Sequence, residues 1–166
     1  MKFFPIGIGA GRRNLSTATR TRVLDGASVE DVWAVVADPY QMPRWWPGVE
    51  RMEGVDDDRF TQVFKTKRRR TVRADFRLLA SEPPGGEYTG GHRTWEQEVE
   101  GTPFDRVLVE SITEIGLEPA PEGGTRVTLA QRQRLRGYSK TGALAMRSAT
   151  AKRLDEALER LERILG

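Results

Sequence analysis

One histidine and the glutamates of several strand-like segments are the residues that offer acid–base chemistry in this chain. General acid–base catalysis needs a titratable side chain that faces the reacting molecule. His92 follows two glycines, where a solvated ring is the usual case, and any Ser-His-Asp triad would have to include it. Glu96, Glu98, Glu110 and Glu114 alternate with residues expected to face the interior, so they should point outward; with the faces reversed, Glu110 becomes the leading buried acid. The sequence therefore indicates no catalytic constellation.

The chain has no cysteine, which excludes disulfides, thiolate nucleophiles and cysteine-ligated metal sites, and its single histidine excludes a multi-histidine site. We therefore expect neither a metal nor another cofactor. The 166 residues carry 27 Lys and Arg against 24 Asp and Glu, a net charge of +3, and 37% of them are hydrophobic. This composition is typical of one soluble domain that is large enough to enclose a hollow.

Residues spaced by two along the predicted strands indicate which side chains share an interior face. This set is mainly apolar with a few uncharged polar groups, which suits an apolar ligand oriented by one or two hydrogen bonds. A solid core with the glutamines exposed at strand ends is the competing interpretation. The inward positions are Phe60, Gln62, Phe64, Val72, Ala74, Phe76, Leu78, Trp95, Gln97, Val99, Val107, Val109, Ser111, Thr113, Val127, Leu129, Gln131 and Gln133.

The candidate ligand-binding residues divide into apolar contacts and orienting groups. Trp45 and Trp46 are adjacent, so we expect one indole to cover the sheet and the other to contact the ligand. The apolar contacts are Trp45, Trp46, Phe64, Phe76, Trp95, Leu129 and Leu144. The orienting groups are Gln97, Ser111 and Gln131.

A run of cations, from Lys65 to Arg73, is the most polarised stretch of the chain. As a nucleic-acid patch it would bind phosphates, but no interleaved aromatic residues accompany it, and Asp56, Asp57 and Asp58 lie just upstream. A solvated hairpin is therefore favoured, and no nucleic-acid partner is expected. Transient contact with an anionic membrane surface or another acidic partner stays open.

The elements that must position these residues are a strand, two short helices, six strands and one long helix. A flexible lead-in over residues 1–17 precedes a single domain over 18–166, whose first strand begins near Ala18. Ser28 and Asp31 indicate a capping box, and Asp38 with Pro39 indicates a second short helix to Trp46. Period-two segments then run from Val49 to Arg136, and a helix follows Gly137. The N-terminal stretch resembles neither a membrane span nor an export signal, so a cytoplasmic location is expected.

This element order, with the segments Val29–Pro39 and Arg44–Val49 and the strand Gly123–Leu129, resembles the polyketide cyclase/dehydrase and lipid-transport branch of the START-like (SRPBCC) superfamily. The resemblance covers Ala18 to Leu165. It implies an α+β helix-grip fold of the START/Bet v 1 kind, in which a curved seven-stranded antiparallel sheet wraps around the C-terminal helix. It also implies a deep cavity for an apolar or aromatic small molecule.

Two classes of function follow from such a cavity, because a shared fold does not fix a reaction. In the first, the protein binds a hydrophobic or aromatic molecule, and the sequence leaves open whether it also transports that molecule. In the second, a cyclase or aromatase-like enzyme uses the same cavity to fold a reactive chain, which requires a polar or titratable group deep inside. The ligand, the turnover and the oligomeric state are left open by the sequence.

Overall fold

The fold is one seven-stranded antiparallel sheet that curves around a long C-terminal helix, as predicted from the sequence. The computed structural model describes residues 14–87, 89–137 and 140–166. The strand order is β1-β7-β6-β5-β4-β3-β2, so the first strand closes beside the last one and every other neighbour is consecutive. The strands are β1 Leu15–Leu24, β2 Val49–Glu53, β3 Arg59–Lys65, β4 Thr71–Glu82, β5 Gly91–Gln97, β6 Leu108–Pro119 and β7 Thr125–Leu135. The helices are α1 Val29–Val36, α2 Met42–Trp45 and α3 Lys140–Leu165.

The first strand begins at Leu15, three residues before the predicted start at Ala18. Leu15 pairs with Arg134, and Ser16 pairs with Gln133 and is buried. A polar residue at an inward position hides the alternation that would mark this part of the strand. Strand β1 thus includes residues 15–17 of the predicted lead-in, and residues 1–13 lie outside the described part of the chain.

The two short helices after β1 begin at the predicted caps. The Ser28 hydroxyl accepts from the Asp31 amide while the Asp31 carboxylate accepts from the Ser28 amide, which confirms the capping box. The Asp38 carboxylate accepts from the amide of Tyr40, and a 3₁₀ turn over Pro39–Gln41 leads directly into α2. These caps fix where the chain leaves the sheet and returns to it.

The long helix packs its second half against the sheet through a buried stripe, as its periodicity predicts. Ala151, Leu154, Leu158 and Leu161 are buried in the main core. Leu144 is 62% exposed, so its predicted place on that stripe and in the cavity is wrong. Met146 faces the cavity, and Leu144, two positions away, lies about 200° around the helix from it.

An irregularity in β6 shows that a second predicted inward position is wrong. The register between β6 and β7 shifts between Leu108 and Glu110. Leu108 is therefore buried, whereas Val109, predicted to face inward, is 41% exposed. A bulge inserts one residue and exchanges the two faces of the strand, and the sequence pattern alone does not reveal it.

Candidate functional site

A cavity of about 360 Å³ lies between the concave face of the sheet and the first half of α3. Ligand sites are typically about 300–1,000 Å³, so this space suits a small molecule of two or three rings or a short chain. Lys65, Val107 and Arg153 line it and are exposed, which places its mouth at this end of the sheet. The β3–β4 hairpin, the β5–β6 connection and the α2–β2 turn surround that mouth.

One wall of the cavity is apolar and mostly aromatic. Phe64, Ala74 and Phe76 from β3 and β4 form it together with Trp46 and Trp95. The Trp46 and Trp95 rings meet edge to face with their centroids 6.2 Å apart. Such a wall offers flat contact to an aromatic ligand.

The opposite wall is polar and uncharged, and it consists of two rows that cross the central strands. In the first row Thr113 pairs with Trp95 of β5 on one side and Gln131 of β7 on the other. In the second row Ser111 pairs with Gln133 of β7, whose side-chain oxygen accepts from Thr150 of α3 at 3.2 Å. Antiparallel pairing thus gathers hydroxyl and amide groups from β6, β7 and the helix beside the Trp95 indole of β5.

Three polar atoms of the cavity wall are buried and have no hydrogen-bond partner within the described residues. The Gln131 side chain donates to the Thr113 hydroxyl at 2.9 Å, which leaves its Oε1 as a free acceptor. The Gln97 Nε2 and the Trp95 Nε1 are free donors. Unpaired buried polar groups cost roughly 1–3 kcal/mol each, so a wall that carries three of them is suited to a ligand or water that supplies their partners.

The sequence matches the profile of one protein family. The profile of the family described as polyketide cyclase/dehydrase and lipid transport matches residues 16–166, which is nearly all of the chain. The chain belongs to this polyketide cyclase/dehydrase and lipid transport family. A search of curated protein sequences gives no match.

Solved structures with the same fold include a Deinococcus radiodurans protein and two di-domain ARO/CYC proteins. A Deinococcus radiodurans protein is 22% identical, with a TM-score of 0.60, over 89% of this chain and 95% of that one. The di-domain ARO/CYC protein StfQ of the steffimycin pathway is 11% identical, with a TM-score of 0.71, over 93% of this chain and 52% of that one. The di-domain ARO/CYC protein BexL is 12% identical, with a TM-score of 0.70, over 92% and 50%. This family member thus spans about half the length of the two di-domain proteins, and at these identities the likeness establishes the fold alone.

Titratable side chains lie at the mouth of this family member's cavity and not in its interior. Among the described residues that line it, Lys65 and Arg153 are the charged ones, and none is a carboxylate or a histidine. Lys65 pairs with Glu50 at 3.2 Å, and Arg153 has no ion-pair partner within the described chain. The interior offers hydrogen bonds, and charge is available where a ligand enters.

The outer face of the sheet holds the acid–base residues considered from the sequence. Glu114 is buried there against the His92 ring, and Thr94 also contacts that ring. Glu96 pairs with Arg77, and Glu110 lies beside Arg132 and Arg134. The prediction that these glutamates face away from the cavity is confirmed by the strand register. These side chains lie on the other face of the sheet from the cavity, so they cannot reach a molecule bound there.

The structure brings most of the predicted ligand-binding residues to one cavity. Seven of them line it: Trp46, Phe64, Phe76, Trp95, Gln97, Ser111 and Gln131. Trp45 and Leu129 are fully buried in the core behind it, and Leu144 lies on the outside of α3. Of the two adjacent indoles, Trp46 lines the cavity while Trp45 supports it, with their centroids 5.5 Å apart.

Several lining residues are absent from the predicted set. Phe104 belongs to the 3₁₀ turn over Pro103–Arg106, where strand alternation gives no signal. Met146, Thr150 and Arg153 share one face of α3, and their spacing of four and three residues was a usable signal. In the described parts of the chain there is no cluster of metal-binding side chains, and no helix there is long and apolar enough to cross a membrane.

Proposed function

We propose that this protein binds a hydrophobic or aromatic small molecule in the cavity between its sheet and α3, and that it carries and releases that molecule. The observation that supports it is the lining itself, an aromatic wall that faces a wall of uncharged hydrogen-bonding groups. Such a lining favours a flat molecule with an apolar face and one polar edge. Membership of a family described by polyketide cyclase/dehydrase and lipid transport is in keeping with this class of ligand.

A cyclase or aromatase-like activity in the same cavity is the second candidate. The ARO/CYC neighbours favour it, and the polar rows offer contacts that fold a chain of carbonyl groups. General acid–base catalysis from the described lining would rest on Lys65 at the mouth, since an arginine guanidinium keeps its proton in proteins and the interior groups are amides, hydroxyls and an indole. Binding is therefore the better supported function, and a cyclisation here would proceed mainly by positioning the chain.

Native mass spectrometry of the protein after incubation with lipid and aromatic extracts tests the binding proposal. Ala149 lines the cavity from an exposed position on α3, so Ala149→Trp should block the mouth with little effect on the core. Ala145 is exposed one helical turn earlier and does not line the cavity, which makes Ala145→Trp the matched control. We expect a 1:1 adduct with the wild type and Ala145→Trp that is lost in Ala149→Trp.

Two outcomes of this experiment would contradict the binding proposal. An adduct that survives Ala149→Trp would place the ligand elsewhere, and the absence of any adduct from broad extracts would end the carrier proposal. Turnover of a polyketide-like chain that ceases when one cavity residue is replaced would favour the enzyme instead. A cytoplasmic location and a domain that begins after a lead-in stay predictions.

A further inference from the structure

The β3–β4 hairpin concentrates cations at the mouth of the cavity. We define the basic hairpin as residues 65–70, which contain Lys65, Lys67, Arg68, Arg69 and Arg70, all exposed. Lys65 pairs with Glu50, and no described carboxylate lies within ion-pair distance of the other four. The protein as a whole has a net charge of only +3, so this hairpin is a strong local excess of positive charge.

The acidic residues that precede the hairpin in sequence do not neutralise it. Asp56, Asp57 and Asp58 form the β2–β3 turn, at the opposite end of β3 from the hairpin. A seven-residue strand separates the two turns by roughly 20 Å at 3.3 Å per residue, about two and a half times the Debye length at physiological salt. The acidic turn is therefore too distant to offset the cations, and the prediction of an exposed hairpin is confirmed.

The hairpin has a defined shape and extends past the neighbouring strand. The Arg69 amide donates to the Thr66 carbonyl at 2.8 Å, and the Thr66 amide donates to the Arg70 carbonyl at 2.9 Å. The register of β4 with β5 begins at Phe76, so the first residues of β4 carry the hairpin beyond the end of β5. The hairpin thus presents its cations beyond the end of β5.

Apolar groups accompany the cations at this end of the molecule. Val107 lines the mouth and is 37% exposed, and Phe104 beside it is half-buried. Arg153 adds a further cation at the mouth on the α3 side. The carboxylates of the surrounding described segments are Glu50, which is paired with Lys65, and three on the β5–β6 connection: Glu98, which is paired with Arg59, Glu100 and Asp105.

We propose that the basic hairpin docks the mouth of the cavity onto an anionic phospholipid surface. Cations beside exposed apolar groups match a bilayer interface, where phosphates meet acyl chains. A nucleic acid would pair its phosphates with the cations, but its charged backbone would make no apolar contact with Val107 and Phe104. Nucleic-acid binding would also leave the position of the cations beside an apolar cavity unexplained. Each unpaired cation raises association with an anionic bilayer about fivefold, so the contact is weak and reversible, as a carrier requires.

Flotation with phosphatidylcholine vesicles, with and without phosphatidylglycerol, tests this proposal. The wild type should float with the phosphatidylglycerol vesicles alone and should be released by high salt. Arg68→Gln/Arg70→Gln should weaken this association about 25-fold. The matched control is Arg126→Gln/Arg163→Gln, which removes the same charge at the start of β7 and the end of α3, away from the mouth, and should change it less than about threefold.

Two results would overturn the proposal. Equal losses for the two double variants would show that net charge, and not the hairpin, governs the association. No flotation with anionic vesicles, or salt-sensitive binding of the wild type to a DNA duplex without vesicle binding, would assign the cations to another partner. Cavity binding measured by native mass spectrometry is unaffected by either result, so the two proposals fail separately.

Discussion

The glutamines of the cavity wall show how a single residue sets the character of the site. Gln131 is buried, donates one bond to Thr113 and keeps a free acceptor, an arrangement that costs stability unless a ligand or water completes it. Strand alternation predicted that Gln131, Gln97 and Ser111 face inward. It could not predict which polar atoms are left free, because that depends on the cross-strand partners that the register supplies.

We expect Gln131→Leu to separate stability from binding. The loss of the bond to Thr113 is offset by the removal of an unpaired oxygen and by added apolar burial, so the free energy of unfolding should change by less than about 1 kcal/mol. Affinity for 1-naphthol should fall about tenfold, while affinity for naphthalene, which makes no hydrogen bond, should hold. Calorimetric titration of the variant with both compounds checks this, and equal changes for the two would refute a polar role for Gln131.

Arg69 has a strained backbone conformation and also carries one of the charges of the basic hairpin. Its φ of 59° lies in the left-handed region, which favours glycine, and it is the one non-glycine residue in the described chain with a positive φ. We expect Arg69→Gly to raise the free energy of unfolding by about 0.5–1 kcal/mol, because it relieves that strain. The same variant should lower association with anionic vesicles about fivefold. Urea unfolding and flotation together check this; lower stability would contradict the strain, and unchanged flotation would contradict the docking role.

At the scale of the element, the caps and the strand order were the most predictable features. The Ser28 and Asp31 capping box, the six strands after Val49 and the helix after Gly137 all depend on local chemistry that one sequence displays. The inward place of Leu108 and the outward place of Leu144 depend on a bulge and on where α3 meets the sheet. Tertiary packing decides those positions, so periodicity misplaced Val109 and Leu144 although it assigned the main buried face of each element correctly.

The capping box of α1 predicts a dependence of stability on pH. The interaction with the Ser28 side chain, followed by the hydrogen bond from the Ser28 backbone amide, lowers the pKa of Asp31 below its ordinary value. A lowered pKa stabilises the fold above the unfolded-chain value of about 3.9, and this contribution is lost as pH falls through the folded pKa. Ser28→Ala should lower the free energy of unfolding by about 1 kcal/mol at pH 7.

Urea unfolding at pH 6 and pH 3 checks the capping box. Asp31→Asn should lose less stability than the wild type between these two values, because it removes the carboxylate whose ionisation is favoured in the folded state. A wild type and an Asp31→Asn variant with the same pH dependence would show that the box does not contribute to the acid sensitivity of the fold.

At the scale of the whole molecule, the two faces of the curved sheet carry different kinds of side chain. The concave face and α3 enclose uncharged polar and aromatic groups, whereas the outer face carries the ion pairs and the buried contact between His92 and Glu114. The sequence predicted this division and the fold. It also predicted the exposed basic hairpin, but it did not reveal that this hairpin and the acidic turn at Asp56 to Asp58 lie at opposite ends of β3.

The proposed function depends on whether a small molecule can enter the cavity between the sheet and α3. The most direct measurement is an equilibrium titration with 1-anilinonaphthalene-8-sulfonate, whose rings suit the aromatic wall and whose sulfonate suits Lys65 and Arg153 at the mouth. We predict saturable binding of one fluorophore per chain to the wild type and Ala145→Trp, weakened at least tenfold in Ala149→Trp. Non-saturable fluorescence, or an affinity unchanged by the tryptophan at position 149, would show that no guest enters this space.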